Sequence, residues 1–198
     1  MIRSFKEIAK ELKNRREKKR ERDEEGRVIV NLRVRDDEGF LSPYSSENHN
    51  VLSEETAAFI EKSLNPIPAE EHIHFRVYSD VITPQEAEQY TEAIHEHYAD
   101  CYEQVRFQKK RYLRMALIMA FIAVVALSFA IGFEVSGNKT AVIAEVIDIF
   151  AWVFMWEAVD IFFLERVMLN LKQRRYLALT DSVVEYLPLS ERENKENI

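Results

Sequence analysis

The sequence predicts a membrane α-helical hairpin of two transmembrane helices, extended by a long cytoplasmic stalk helix, plus a small cytoplasmic α+β domain with a two- or three-stranded sheet. Three observations predict it. Residues 115–133 (MALIMAFIAVVALSFAIGF) run without a charge, residues 141–164 form a second long apolar stretch, and residues 27–35 and 72–79 alternate apolar with polar side chains. Average composition hides this segregation: the apolar fraction is 47% and the net charge −7, with a mean hydropathy of −0.28.

Residues 1–26 are read as a basic amphipathic N-terminal helix and charged linker. Ile2, Phe5, Ile8, Ala9 and Leu12 recur at helical spacing among Lys6, Lys10 and Lys13, a pattern suited to packing on the domain or lying on an anionic membrane surface. The helix is expected over 2–25. Residues 1–22 hold ten Lys/Arg against four Glu, whereas 23–104 hold five against nineteen acids. That asymmetry excludes a uniformly basic nucleic-acid binder and gives the domain an acidic surface for a basic cytoplasmic protein partner. The opening residues lack the apolar core of a signal peptide, so insertion is expected to be driven from within the chain.

Residues 27–83 read as the α+β domain. Val28, Val30, Leu32 and Val34 alternate with polar positions as a half-buried strand does, and Ile73, Phe75 and Val77 repeat the pattern. Between them Ser53 can cap a helix ending at Leu64, before Asn65-Pro66-Ile67-Pro68. His72 and His74 are read as a solvent-facing pair rather than metal ligands, since spacing supplies no third donor.

Thr83-Pro84-Gln85-Glu86 combines an N-cap, proline at the first helical position and glutamate at the third. No breaker follows before Gly132, so the stalk helix 84–114 is expected to run unbroken into the span 115–133. Ile94, Tyr98, Cys101 and Val105 form a seam for a partner helix, with Val167, Leu171 and Arg175 as the expected partner row. Nineteen residues cover roughly 28 Å at ~1.5 Å each, close to the ~30 Å hydrocarbon core. Ala116, Ala120, Ala123 and Ala130 share an arc of about 80° and form the expected packing face, since small residues let backbones approach in lipid.

The connection 134–140 contains Gly137 and Asn138 and is short enough to join only antiparallel neighbours. Arg106, Lys109, Lys110, Arg111 and Arg114 precede the first span and Arg166, Lys172, Arg174 and Arg175 follow the second, against Lys139 alone in the loop. The positive-inside rule then puts both termini in the cytoplasm and 134–140 outside. Residues 165–188 read as a returning helix and a third strand, with Val183, Val184, Tyr186 and Leu187 as its apolar content; 189–198 is a polar tail expected to be disordered.

The second span, 141–164, carries the chemistry. On a helical wheel Glu145, Asp148, Asp160, Trp152 and Trp156 fall within an arc of about 120°, with Glu157 beside it. A carboxylate at bilayer depth costs at least ~2.5–3.5 kcal/mol, so such residues face a bundle interior, a wet cavity or a cation. Either they pack and pair, with Arg114 serving Asp160 or Glu157 and Lys139 serving Glu145, or copies assemble as a homo-oligomeric ion conduit lined by this face.

No phosphate loop, nucleophile elbow or zinc-protease motif occurs, and the single Glu92–His95 pair lacks the second such motif a di-iron bundle needs. Cys101 alone can form no internal disulfide. The expectation is a non-enzymatic membrane-anchored adaptor or sensor without cofactor or metal. Finally, Glu145 to Arg166, with Trp156-Glu157-Ala158-Val159-Asp160 and Phe162-Phe163-Leu164-Glu165-Arg166, resembles small uncharacterised bacterial two-span membrane proteins. The resemblance spans about residues 28–176. It implies a soluble α+β segment ahead of the hairpin and a place in the bacterial inner membrane.

Overall fold

The computed structural model describes residues 20–46, 50–135 and 141–196. The expected N-terminal helix lies mostly outside that range. Its described end, residues 20–26, is not helical. Asp23 accepts the backbone N–H of Glu25 and of Arg27, Gly26 sits at a φ of 82° that favours glycine, and Arg22 bridges Val28 in antiparallel fashion. The Asp-Glu-Glu-Gly run makes a turn because these local bonds compete with the helix.

The chain forms two compact units, Met1–Ala99 with Arg175–Ile198, and Asp100–Arg174. It is mostly helical, with one small parallel sheet.

In the first unit, strand β1 (Val28–Arg33), helix α1 (Glu54–Leu64) and strand β2 (Ile73–Tyr78) form a β-α-β unit. Ser53 caps α1 by accepting the Thr56 N–H at 3.2 Å, and α1 buries Ala57, Ile60 and Leu64 on one stripe. Strand β3 (Val183–Leu187) completes the sheet in the order β1-β2-β3. All pairings are parallel, with Val30 opposite Phe75 and Phe75 opposite Val184. Sequence patterning located the strands but left their direction open. Parallel strands need crossovers, and the one from β2 to β3 contains the entire second unit.

Val28, Val30, Leu32, Ile73, Phe75 and Val77 turn to one side and pack with Ile60, Leu64, Tyr90, Ile94, Tyr98 and Leu179. Phe40 stacks on Tyr90 with ring centroids 4.3 Å apart, and the Tyr90 hydroxyl donates to Asp37 at 3.0 Å. Arg175 donates to the carbonyls of Leu64 and Ile67 at 2.7 and 2.6 Å, and Arg20 donates to that of Pro66. These arginines fasten the last residue of α1 and the loop that follows it.

Helix α2 (Pro84–Val135) is unbroken over 52 residues, as the absence of breakers predicted. Its start is a capping box: the Thr83 N–H donates to Glu86 at 2.8 Å. Among the described residues it is the helix long and apolar enough to cross a membrane. Helix α3 (Ala141–Asp160) is also apolar but carries four carboxylates. A π-helical turn, Ile161–Glu165, joins it to helix α4 (Arg166–Thr180).

Two expectations at the C-terminal end change. Val167 and Leu171 are exposed, and the inward positions of α4 are instead Leu169 and Leu179, with Gln173 and Tyr176 half-buried. Apolarity does not mark the inward face here, because the outside of this helix pair is apolar too, while Gln173 is held inside by Lys109 at 2.6 Å. The tail expected to be disordered contains helix α5 (Leu189–Glu196). Its first N–H donates to Asp80 at 2.9 Å and Arg192 lies over the Tyr78 ring at 6.0 Å.

Candidate functional site

Within the second unit, Ala116, Ala123 and Ala130 of α2 are buried and Ala120 is half-buried. The sequence reading missed their counterpart: Ala144, Ala151 and Ala158 of α3 are buried as well. Both rows repeat every seven residues, the period that keeps two winding helices in contact. Alanine at these positions leaves room for a close backbone approach.

The acidic face of α3 is a different face. Taking the wheel at ~100° per residue, the alanine row lies about 120° from the centre of the arc that holds Asp148, Trp152, Trp156 and Asp160. Trp152 and Trp156 are 64% and 71% exposed. Glu145 and Glu157 are exposed, and Asp148 and Asp160 half-buried. Among the described residues, none of the four carboxylates forms an ion pair. Arg114 is exposed and does not reach Asp160 or Glu157. Lys139 lies outside the described residues. The buried alanines and the acids of α3 thus lie on different faces of that helix.

The first unit holds a second polar constellation that the sequence reading passed over, on the sheet face opposite the core. His74 is buried rather than solvent-facing. Its Nδ1 donates to Asp23 at 2.9 Å, and its Nε2, enclosed and without a hydrogen-bond partner, lies 3.4 Å from Glu185. Arg27 donates to Asp23 at 2.7 Å. Arg76 donates to Glu185 at 3.1 Å and to Glu21 at 2.9 Å. Burial alone would raise the Asp23 pKa. Hydrogen bonds from the Arg27 side chain, His74 and the Arg27 backbone outweigh it and hold the carboxyl well below the usual range. The signal was present in the sequence: a turn-forming Asp-x-x-Gly, then opposite charges on same-face strand positions, with Arg76 and Glu185 direct register partners.

A carboxylate–imidazole pair can orient a base toward a nucleophile, but the free nitrogen of His74 meets no hydroxyl or thiol. No group of three or more potential ligands suited to a metal occurs among the described residues. This constellation ties the 20–27 segment to the sheet and explains why β2 is nearly covered on both faces, whereas Asn31 and Arg33 of β1 stay exposed.

Two concavities in the first unit face solvent. One, of about 530 Å³, lies past the end of β1, with Phe40, Ile60 and Phe75 as its floor and Arg35, Asp36 and Glu55 among its lining. The strand order does not reverse, so the sheet has no switch-point crevice of the kind that binds ligands in doubly wound folds. The other is a shallow groove of about 700 Å³ between α2 and β3, lined by Glu88, Glu92, Glu96, His95, Thr91 and Tyr186. The three glutamates are exposed and four residues apart, an unfavourable like-charge spacing along a helix. His95 donates to the Ser182 carbonyl at 2.8 Å, which ties α2 to the start of β3. No family model, curated protein or solved structure matches the chain.

Proposed function

We propose that the chain is a multi-pass membrane protein of non-enzymatic role, an adaptor or sensor whose cytoplasmic unit presents an acidic groove to a basic protein partner. The observation that carries this reading is the outside of the helix pair. Leu117, Phe121, Val124, Phe129 and Ile131 of α2 and Val142, Val146, Ile149, Phe150 and Val153 of α3 are all exposed. Apolar surface of that extent marks a membrane or an assembly surface. With α2 as one span and α3 as the second, the basic flanks put both termini in the cytoplasm of a bacterial inner membrane. The first unit, with its own closed core, is then on the cytoplasmic side. A basic partner would relieve the like-charge spacing of Glu88, Glu92 and Glu96.

The alternative is a homo-oligomeric ion conduit, favoured by the acidic and tryptophan face of α3, which its own α2 does not cover. Pull-down of full-length protein from native membranes separates the two. The adaptor recovers a basic partner, and E88K/E92K abolishes capture while leaving membrane insertion intact. Cation flux through liposomes that falls in D148N/D160N, with no partner recovered, refutes the adaptor. Reporter fusions at Gly137 and Ile198 test the topology: external activity at Ile198 overturns it.

A further inference from the structure

The second unit contains a crevice of about 200 Å³ where α2 and the π-helical turn meet. Its floor is apolar, formed by Leu113, Ile161 and Leu169, the last two buried. Its rim is basic, with Lys110 from α2 and Arg166 from the first residue of α4, and Tyr112 beside them. Lys109, also on the rim, is already committed to Gln173. Lys110 and Arg166 are not: among the described residues neither has a carboxylate partner, and Arg166 rests over the Phe162 ring at 5.3 Å. π-Turns within helices recur at functional sites, and this one forms a wall of the crevice.

We infer that this crevice binds the headgroup of an anionic phospholipid. The inference rests on the membrane reading above. Lys110 lies just before the charge-free run that starts at Met115, and Arg166 just after Leu164, so both stand at the level where lipid phosphates lie. Basic pockets between membrane helices on the cytoplasmic side suit anionic headgroups. The volume is too small for a whole lipid. It accepts the phosphodiester and glycerol, with the phosphate against Lys110 and Arg166 and the glycerol on Leu113 and Ile161, and the acyl chains continue over the exposed apolar sides of the helices. A choline headgroup brings its own cation to the phosphate and competes with the two side chains. Phosphatidylglycerol does not.

The test is native mass spectrometry of full-length protein in detergent, titrated with phosphatidylglycerol or phosphatidylcholine. Wild type is expected to retain one phosphatidylglycerol in preference to phosphatidylcholine. K110Q/R166Q should lose that preference by about fivefold for each basic side chain removed. R111Q/K172Q, which removes the same charge from exposed positions outside the crevice, should keep it. L113W blocks the floor while retaining both charges and should also lose it, so the result does not depend on one variant folding. Equal loss in both charge pairs means diffuse attraction and overturns the site, as does equal retention of the two lipids. Displacement by inorganic phosphate alone reassigns the site to a free anion and overturns the lipid. Failure of the membrane reading is distinct: the wild-type protein would then stay in the aqueous phase on detergent partition, whereas a failed lipid site leaves it in the detergent phase without headgroup preference.

Discussion

Asp23 accepts four hydrogen bonds, from the backbone of Glu25 and Arg27 and from the side chains of Arg27 and His74. A carboxylate held this way is ionised in the folded state at pH values where it would be protonated in the unfolded chain. Its folded pKa is lowered, so its contribution to stability is fully present above the unfolded value of about 3.9 and disappears as pH falls through the folded value below that. Glu71 acts in the same direction, lowered chiefly by its hydrogen bonds from Arg22. The expected outcome is a melting temperature of the first unit, followed in the full-length protein, that falls steeply as pH drops below about 4, with a shallower fall in Asp23→Asn. Thermal melts monitored by circular dichroism over pH 2–7 check it, and parallel pH slopes would assign the acid sensitivity elsewhere. Little of this residue-scale arrangement was legible in advance. The Asp-x-x-Gly turn could be read locally, but the burial of His74 depends on which segment folds over the second face of the sheet, and strand alternation says nothing about that.

At the scale of elements, the sequence was most informative where physics is local. The Ser53 cap, the Thr83–Glu86 capping box and the unbroken run to Val135 follow from side-chain chemistry within a few residues, and all three are present. It was least informative for the pairing faces of the long helices. On an amphipathic helix apolarity points inward, but a helix that is apolar all round offers no such contrast. Residue size is the surviving signal. It marks Ala116, Ala123 and Ala130, and equally Ala144, Ala151 and Ala158. Enlarging either row should therefore cost more than trimming the outside. Ala123→Leu and Ala151→Leu are each expected to destabilise the helix pair by about 1–3 kcal/mol, while Leu117→Ala, on an exposed side chain, should stay within about 0.5 kcal/mol. Thermal denaturation in detergent measures both. A tolerated Ala151→Leu would mean that the helices do not pack through this row.

For the whole molecule, the consequential fact is that β2 and β3 are neighbours in the sheet although the complete helix pair separates them in sequence. Composition could suggest a third strand but not its direction or its partner, because strand order is decided by long-range packing. What fixes the register of β3 must then lie within the first unit. Arg175 is anchored on the Leu64 and Ile67 carbonyls, Leu179 is fully buried, and β3 begins four residues later. One alanine inserted after Tyr176 rotates all that follows by about 100° relative to Arg175. Leu179 then leaves its place in the core, a loss comparable to the ~2–5 kcal/mol of a large-to-small core substitution. A one-residue slip of β3 would also exchange its faces, turning Glu185 inward in place of Val184 and Tyr186. Lengthening the 136–140 connection with glycine and serine has no such consequence, since each doubling of a flexible loop costs only about 0.6 kcal/mol. Amide hydrogen exchange of the full-length protein in detergent should therefore show protected β3 amides in wild type and in the loop-extended variant, and lost protection in the Tyr176 insertion. Protection retained in the insertion variant would show that β3 finds its register from β2 alone. Protection lost on loop extension would show instead that the sheet depends on the length of a connection outside its own unit.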